Sequence, residues 1–397
     1  MAHDPKEALA LGVSDQELER RWNAVRTRMK DGQIDALVMQ DSNEHLGGYV
    51  KWFTDISARN AYPISVVFPI DDLMTTVMSG GRPPGDKGPP AWQLRGVKSG
   101  LTAPYFPSIH YSSTYDGELV VETLKNRRQG KIGFVGRGKI PIAFYEYIVR
   151  NLPEATFVDT TDLVDEIKAI KSLEEIELIK KTVALQDDVM AYAKTVIKPG
   201  RRAFEIVADV IHKAMLLGSE EQLVLAGSTP FGRPPVYQGR QYQNRMVKEN
   251  EPFNLLIEVN GPGGMYAEVG RSFFTGAVPA ELSDAYELCK EAQKVSLGLI
   301  KPGADPGTIW DANNEFLVRH GKIAETRLYA HGQGYDLVER PAIRDDEPMK
   351  LKANMNIVVH PAIASDRIWV SVCDNYLITE TGVSPCLHKT PQKIFSV

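Results

Sequence analysis

A four-residue phrase that occurs twice governs what this chain can fold into. Ile197-Lys198-Pro199-Gly200 returns as Ile300-Lys301-Pro302-Gly303, an offset of 103 residues (197 to 300). Ahead of the first copy, Ser172-Leu173-Glu174-Glu175 reads as a capping box, because a serine oxygen can accept from the backbone three residues on while the glutamate reaches back. Ile176, Ile179, Val183, Met190 and Val196 then keep helical spacing up to the Pro-Gly stop. A second helical pattern follows each copy, over 204–217 with a stop at Gly218 and over 308–319 with a stop at Gly321. Each is followed by a loop and a pair of strand-like runs. The shared order predicts a duplicated α/β half, in which one supersecondary plan is used twice.

The remainder of the 397 residues leaves room for a separate N-terminal α/β domain. Short β-branched runs at Val38-Met39, Ile64-Ser65-Val66-Val67-Phe68 and Gly133-Phe134-Val135 alternate with helical stretches. Gly80-Gly81-Arg82-Pro83-Pro84-Gly85 and Gly88-Pro89-Pro90 read as a surface loop. The texture changes over 160–171, which gives an expected N-terminal domain of 1–165 and a catalytic domain of 166–397. Lys+Arg 46 against Asp+Glu 51 leaves a net charge of −5 without basic clusters, which argues against nucleic-acid and anionic-membrane partners. No apolar run approaches a membrane span. The N-terminus, with Asp4, Lys6, Glu7, Asp15, Glu17 and Glu19, lacks the apolar core of a secretory signal, so a cytoplasmic location is expected. Cys289, Cys373 and Cys386 are too few and too unpatterned for a disulfide framework or a zinc ribbon.

The chemistry concentrates in the strand pairs of the duplicated half. Leu255-Leu256-Ile257-Glu258-Val259 enters the turn composition Asn260-Gly261-Pro262-Gly263-Gly264, and Met265-Tyr266-Ala267-Glu268-Val269 returns. A hairpin symmetric about Gly263 sets Glu258 opposite Glu268. Two facing carboxylates in apolar strands repel and lose hydration, a conflict that a cation or a shared proton removes. In the second copy, Asn356-Ile357-Val358-Val359-His360 and Val370-Ser371-Val372-Cys373-Asp374 set His360 opposite Asp374 if the turn centres on Arg367. Cys373 then points to the other face, into the core. His331, in Tyr329-Ala330-His331-Gly332-Gln333-Gly334-Tyr335, sits among glycines that let backbone approach a site closely. Glu258, Glu268, His331, His360 and Asp374 together form a set suited to iron, manganese, zinc or cobalt.

These residues resemble the pita-bread superfamily of creatinase, aminopeptidase P, prolidase and methionine aminopeptidase, over most of the chain. Ala169-Ile170-Lys171-Ser172-Leu173-Glu174-Glu175-Ile176 is similar to that family's entry into its catalytic domain, and Ile-Lys-Pro-Gly is typical of it. The resemblance implies a small creatinase-type domain followed by a pita-bread domain; the family's peptidases hold one or two metal ions at the five positions, and a single transition metal ion is expected here. Gly264 and Arg271 match the neighbours of the family's second aspartate; Glu339 and Pro341 match the stretch after its histidine. The departures are specific. Of the five ligand positions only His331 keeps the peptidase residue type. Val338 stands where the peptidases carry a second histidine, and 227–241 holds no histidine but offers Tyr237, Gln238 and Tyr242.

The resemblance and its departures imply a catabolic enzyme hydrolysing a C–N bond in a small polar metabolite. Glu268 or His360 would act as acid–base residue, and Tyr237, Arg271 and Glu339 would stand on the substrate side. A metal-free, creatinase-like mechanism is an alternative, as are a metal-dependent lyase resembling dimethylsulfoniopropionate lyase, an Xaa-Pro dipeptidase or aminopeptidase, and a peptide-binding pseudoenzyme. Creatinase-like members are homodimers in which the first domain lends a residue to the partner's site. Arg59, in Asp55-Ile56-Ser57-Ala58-Arg59-Asn60, is the expected contributor here, as a carboxylate clamp.

Overall fold

The capping box at Ser172 opens the longest helix of the chain. In the computed structural model, which describes residues 12–80, 85, 89–104 and 109–397, Ser172 Oγ accepts from the Glu175 backbone and Glu175 reaches back to the Ser172 N–H at 2.8 Å. The chain divides into two compact units, Met1–Lys168 and Ala169–Val397. Asp4, Lys6 and Glu7, and most of the Gly/Pro-rich stretch between 80 and 90, lie outside the described residues. Among the described residues no helix is long and apolar enough to cross a membrane.

In the first unit, α1 (Asp15–Asp31), α2 (Gly48–Thr54), α3 (Tyr115–Leu124), α4 (Ile142–Asn151) and α5 (Thr161–Lys168) accompany a six-stranded sheet. Its strands are β1 (Ala36–Asp41), β2 (Ile64–Pro69), β3 (Met74–Ser79), β4 (Val97–Ala103), β5 (Lys131–Phe134) and β6 (Thr156–Asp159), in the order β4-β3-β2-β1-β5-β6. β1 and β2 are buried along their whole length, as expected of uninterrupted Val/Ile/Phe runs covered on both faces.

The second unit repeats one plan. Helices α6 (Leu173–Val196) and α7 (Ala203–Leu216) pack together, as do α8 (Ala280–Leu299) and α9 (Pro306–Arg319). One Ile-Lys-Pro-Gly phrase joins each pair. Its isoleucine ends the preceding helix in an extended conformation in both copies, and Gly200 and Gly303 turn the chain at φ +86° and +84°. Gly200 N–H then donates to Val247 and Gly303 N–H to Leu351, at 2.9 and 2.8 Å. The left-handed φ explains why each phrase ends in glycine.

Each helix pair leads into its own sheet. The first runs β16-β9-β8-β7, from β7 (Gln222–Ser228), β8 (Pro252–Val259), β9 (Val269–Phe274) and β16 (Phe395–Ser396). The second runs β11-β10-β12-β15, from β10 (Ala330–Gly332), β11 (Glu339–Ala342), β12 (Asn356–Val359) and β15 (Asp374–Leu377). A short ladder of β13 (Ala362–Ala364) and β14 (Trp369–Ser371) extends the second hairpin. Strand alternation divides the side chains. Phe253, Leu255, Ile257 and Val259 join the core of α6 and α7, while Leu256 meets Val358 and Cys373 of the other sheet. The sheets touch at a bridge between Gly270 and Cys373, whose N–H and C=O groups pair at 3.1 and 3.4 Å. A Cβ on Gly270 would stand 2.9 Å from the Cys373 Cβ, so this contact requires glycine.

Candidate active site

Glu258 and Glu268 meet because the first hairpin is symmetric about a residue. Ile257 pairs with Val269 and Asn260 with Tyr266, both equidistant from Gly263. Gly263 and Gly264 take positive φ to close the turn. Glu258 and Glu268 occupy the rung between these pairs, both buried and hydrogen-bonded to one another. Burial pushes both carboxyls towards protonation, and at Glu258 the charge of Glu268 adds to it. Glu258 rises well above the carboxylate range, and Glu268 reaches about 7, its burial partly offset by the Cys373 thiol that donates to it. The pair therefore keeps at least one proton at neutral pH.

The second hairpin is symmetric about a gap between residues, which corrects the expected partner of His360. Val359 pairs with Asp374, and Ala362 with Ser371, around a two-residue turn at Asp366-Arg367. On that register His360 stands opposite Cys373. A one-residue slip exchanges the faces of a strand, so Cys373 faces the carboxylates and Asp374 turns away. Cys373 Sγ lies 3.1 Å from Glu268 Oε1, and burial first, then Glu268, raises the thiol well above its usual range. Cys373 is a core residue, buried with Leu256 and Val358, but on the face of the carboxylates, and the assignment of Asp374 to the ligand set does not survive.

His331, on β10 beside Val358, completes the cluster. Its Nδ1 lies 2.9 Å from the Gly332 carbonyl, which favours the proton there and leaves Nε2 unprotonated, 3.9 Å from Glu268 Oε2. The His360 ring stands 5.3 Å from that of His331, nearly perpendicular. Desolvation lowers His331 to about 4; desolvation and then the neighbouring His331 lower His360, so both imidazoles are neutral. Ligand-capable atoms of Glu268, His331 and His360 lie within 4.8 Å of one another.

A polar frame holds the carboxylates. Gln333 Nε2 donates to Glu258 at 3.1 Å, and Asn375 Nδ2 donates to Gln333 Oε1 at 2.9 Å. Asn375 Oδ1 accepts the Glu268 N–H at 2.7 Å. Gln333 lay within the glycine-flanked histidine motif, but its role needed the register of both sheets. Asn375 follows from the same one-residue slip as Cys373, since positions 373 and 375 share a face.

Arg271 does not orient substrate. It is fully buried, donates to both Asp374 oxygens at 2.7 and 3.3 Å, and spends its other N–H groups on the carbonyls of Gly270, Cys373, Thr390 and Pro391. Asp374 also accepts from Gln392, beside Cys386 and His388. Glu339 is likewise committed, in a buried ion pair with Lys171 at 2.6 Å. Tyr237 stands at the site: a Cβ on Gly270 would be 3.7 Å from its hydroxyl, and its ring meets Trp369 at 4.9 Å. Burial first, then Cys373 and Glu268, keep that hydroxyl protonated. Arg59, in the first unit, is exposed and bridges to Tyr62.

Residues 177–380 match the model of metallopeptidase family M24. The probable dipeptidase PepE of Mycobacterium tuberculosis is 26% identical over 238 residues, 58% of this chain and 62% of PepE, so this match spans less than two thirds of that relative. The ectoine hydrolase of Halomonas elongata is 24% identical over 98% of this chain and 99% of its own. Among solved structures, an X-Pro aminopeptidase from Thermotoga maritima shares the fold, with a TM-score of 0.79 and 16% identity over 95% of this chain and 99% of its own.

Proposed function

Because the chain belongs to metallopeptidase family M24, which has the creatinase, aminopeptidase P and prolidase architecture, we propose that it hydrolyses a C–N bond in a small polar metabolite. The observation that carries this reading is the buried pair Glu258–Glu268 beside two neutral imidazoles. That donor set fits a single dication: it would replace a proton of the pair, and the unprotonated His331 Nε2 lies 3.9 Å from Glu268 Oε2. Glu258, Glu268, His331 and His360 would hold the ion, with iron, manganese, zinc or cobalt all compatible. Such an ion, once bound, supplies a Lewis acid and an acidified water. The protein's own groups supply the rest. Gln333 and Asn375 keep the carboxylates aimed, buried strands exclude bulk water, and the Tyr237 hydroxyl is placed to donate to a substrate oxygen or nitrogen.

The end-to-end similarity to an ectoine hydrolase supports a small-metabolite substrate. The relatives named as dipeptidases support a second reading, cleavage of dipeptides. The homodimer, with Arg59 entering the partner's site, belongs to the same proposal and rests on the family resemblance.

Metal analysis of the purified protein, combined with turnover of a panel of ectoine, N-acyl and N-amidino amino acids and Xaa-Pro dipeptides in oxygen-18 water, tests the proposal. About one equivalent of transition metal and labelled product from a non-peptide are expected. Full activity without metal defeats the metal part, unlabelled product defeats hydrolysis in favour of a lyase, and dipeptide cleavage at ordinary enzyme rates defeats the substrate class.

A further inference from the structure

One wall of the site leads outward through two aromatic rings to a cation that the reading above does not use. The Tyr237 hydroxyl stands beside Gly270 and Cys373, and its ring packs edge-on against Trp369 at 4.9 Å. The Arg327 guanidinium lies over the Trp369 ring, 5.9 Å from its centroid. Trp369 is itself anchored, its carbonyl accepting from Asn254 Nδ2 at 3.0 Å. The wall therefore runs without interruption from Cys373 to Arg327.

Arg327 is held but not consumed. Its Nε and Nη2 donate to Glu325, whose carboxylate is further fixed by the backbone N–H groups of Thr326 and Arg327. Nη1 makes no hydrogen bond among the described residues. The Arg327 side chain is 42% exposed while that of Glu325 is 8% exposed. A planar fork fixed on one edge and stacked on an indole is pre-organised to bind a second anion on its other edge. Its charge also reaches inward, since Arg327 acts on Tyr237, Glu268 and His360. The inner end of the wall is carboxylate-rich and the outer end cationic.

We propose that Arg327, seated on Trp369, is the specificity residue that selects substrates carrying a carboxylate, binding that group at the exposed end of this wall while the scissile C–N bond lies beside Tyr237 and Glu268. The substrate class is a small amide, amidine or cyclic amidine of an amino acid with its carboxylate free. This rests on the proposed C–N hydrolysis for the identity of the inner group, whereas carboxylate selection itself requires only binding.

The test is therefore a binding measurement that does not depend on turnover. The holoenzyme is titrated with matched pairs, N-acetyl amino acids and ectoine-like cyclic amidines as free carboxylates and as their primary amides, following Tm and heat of binding. Carboxylates are expected to bind roughly tenfold or more tightly than their amides, the usual strength of a charge-assisted contact. Arg327→Gln should cut that preference several-fold, whether or not Arg59 of a second copy also meets the carboxylate, and Arg327→Lys should keep more of it. Arg367→Gln, at another exposed arginine paired with a glutamate, should leave it intact. Circular dichroism checks that each variant folds. No carboxylate preference in the parent, no binding by any pair, or an undiminished preference in both Arg327 variants overturns the inference. Hydrolysis is followed on the same panel. A carboxylate preference cut in Arg327→Gln but without turnover leaves this inference standing and defeats the C–N hydrolase reading.

Discussion

The hairpin of Glu258 and Glu268 and the hairpin of His360 and Cys373 follow one plan yet close differently, and the closure decides what each contributes. The first turns about Gly263, so its rungs join residues of equal parity and place Glu258 against Glu268. The second turns between Asp366 and Arg367, so its rungs join residues of opposite parity and place His360 against Cys373. A duplicated architecture therefore conserves where a pair sits but not which neighbour in sequence fills it. Cys373 and Asp374 are adjacent, and the single step between them separates the face of the Glu258–Glu268 pair from a buried ion pair with Arg271.

The largest effect expected from this contrast is on stability. Asp374→Asn leaves the Arg271 guanidinium buried without its counter-charge, which costs about 3–5 kcal/mol. Chemical denaturation should show that loss, while the activity of whatever protein remains folded should stay near that of the parent. A variant that is stable but inactive would mean that Asp374 faces the site after all, and the one-residue slip would be wrong.

Acid provides the next test of the structural face. His388 accepts the Asn375 N–H at Nδ1, lies against Gln186 Oε1 at Nε2, and is held near 4 by desolvation despite Asp374. Its folded pKa is thus below the ordinary value of 6.5. Between those limits the unfolded chain takes up a proton that the folded one refuses, so His388 withdraws stability as pH falls from about 6.5 to about 4, on the order of 3 kcal/mol at most. His388→Gln should flatten that part of the stability profile. An unchanged profile would show that the loss belongs to other groups.

Much of the second unit was legible beforehand. The capping box, the two Ile-Lys-Pro-Gly turns and the parity of the first hairpin depend on local chemistry, which spacing records. The second hairpin failed at a point that spacing cannot record, because a two-residue turn and a one-residue centre differ by less than any composition signal in Ala364-Ser365-Asp366-Arg367. Gln333 and Asn375 were invisible as a pair, since their hydrogen bond joins strands whose register was itself uncertain by one. The roles of Arg271 and Glu339 escape the sequence for a related reason. A charged residue near a ligand motif can serve the substrate or neutralise a buried partner, and only the position of Asp374 or Lys171 decides which.

The smallest expected effect sharpens the comparison most, because it separates adjacent residues by kind rather than size. Cys373 donates its thiol proton to Glu268, and this contact favours the ionised carboxylate. Serine is a stronger donor, so Cys373→Ser should lower the pH at which the Glu258–Glu268 pair gives up a proton. Cys373→Ala removes the donor and should raise it. Because metal ligands must lose protons before they bind, the pH midpoint for uptake of Zn²⁺ or Mn²⁺ should move down in the serine variant and up in the alanine one. Each shift should be under about one unit, with stability changed by about 1 kcal/mol or less. Asp374→Asn, on the opposite face, should move that midpoint in neither direction. Shifts of the same sign in the serine and alanine variants would mean that the thiol acts through its packing on Leu256 and Val358 rather than through its proton.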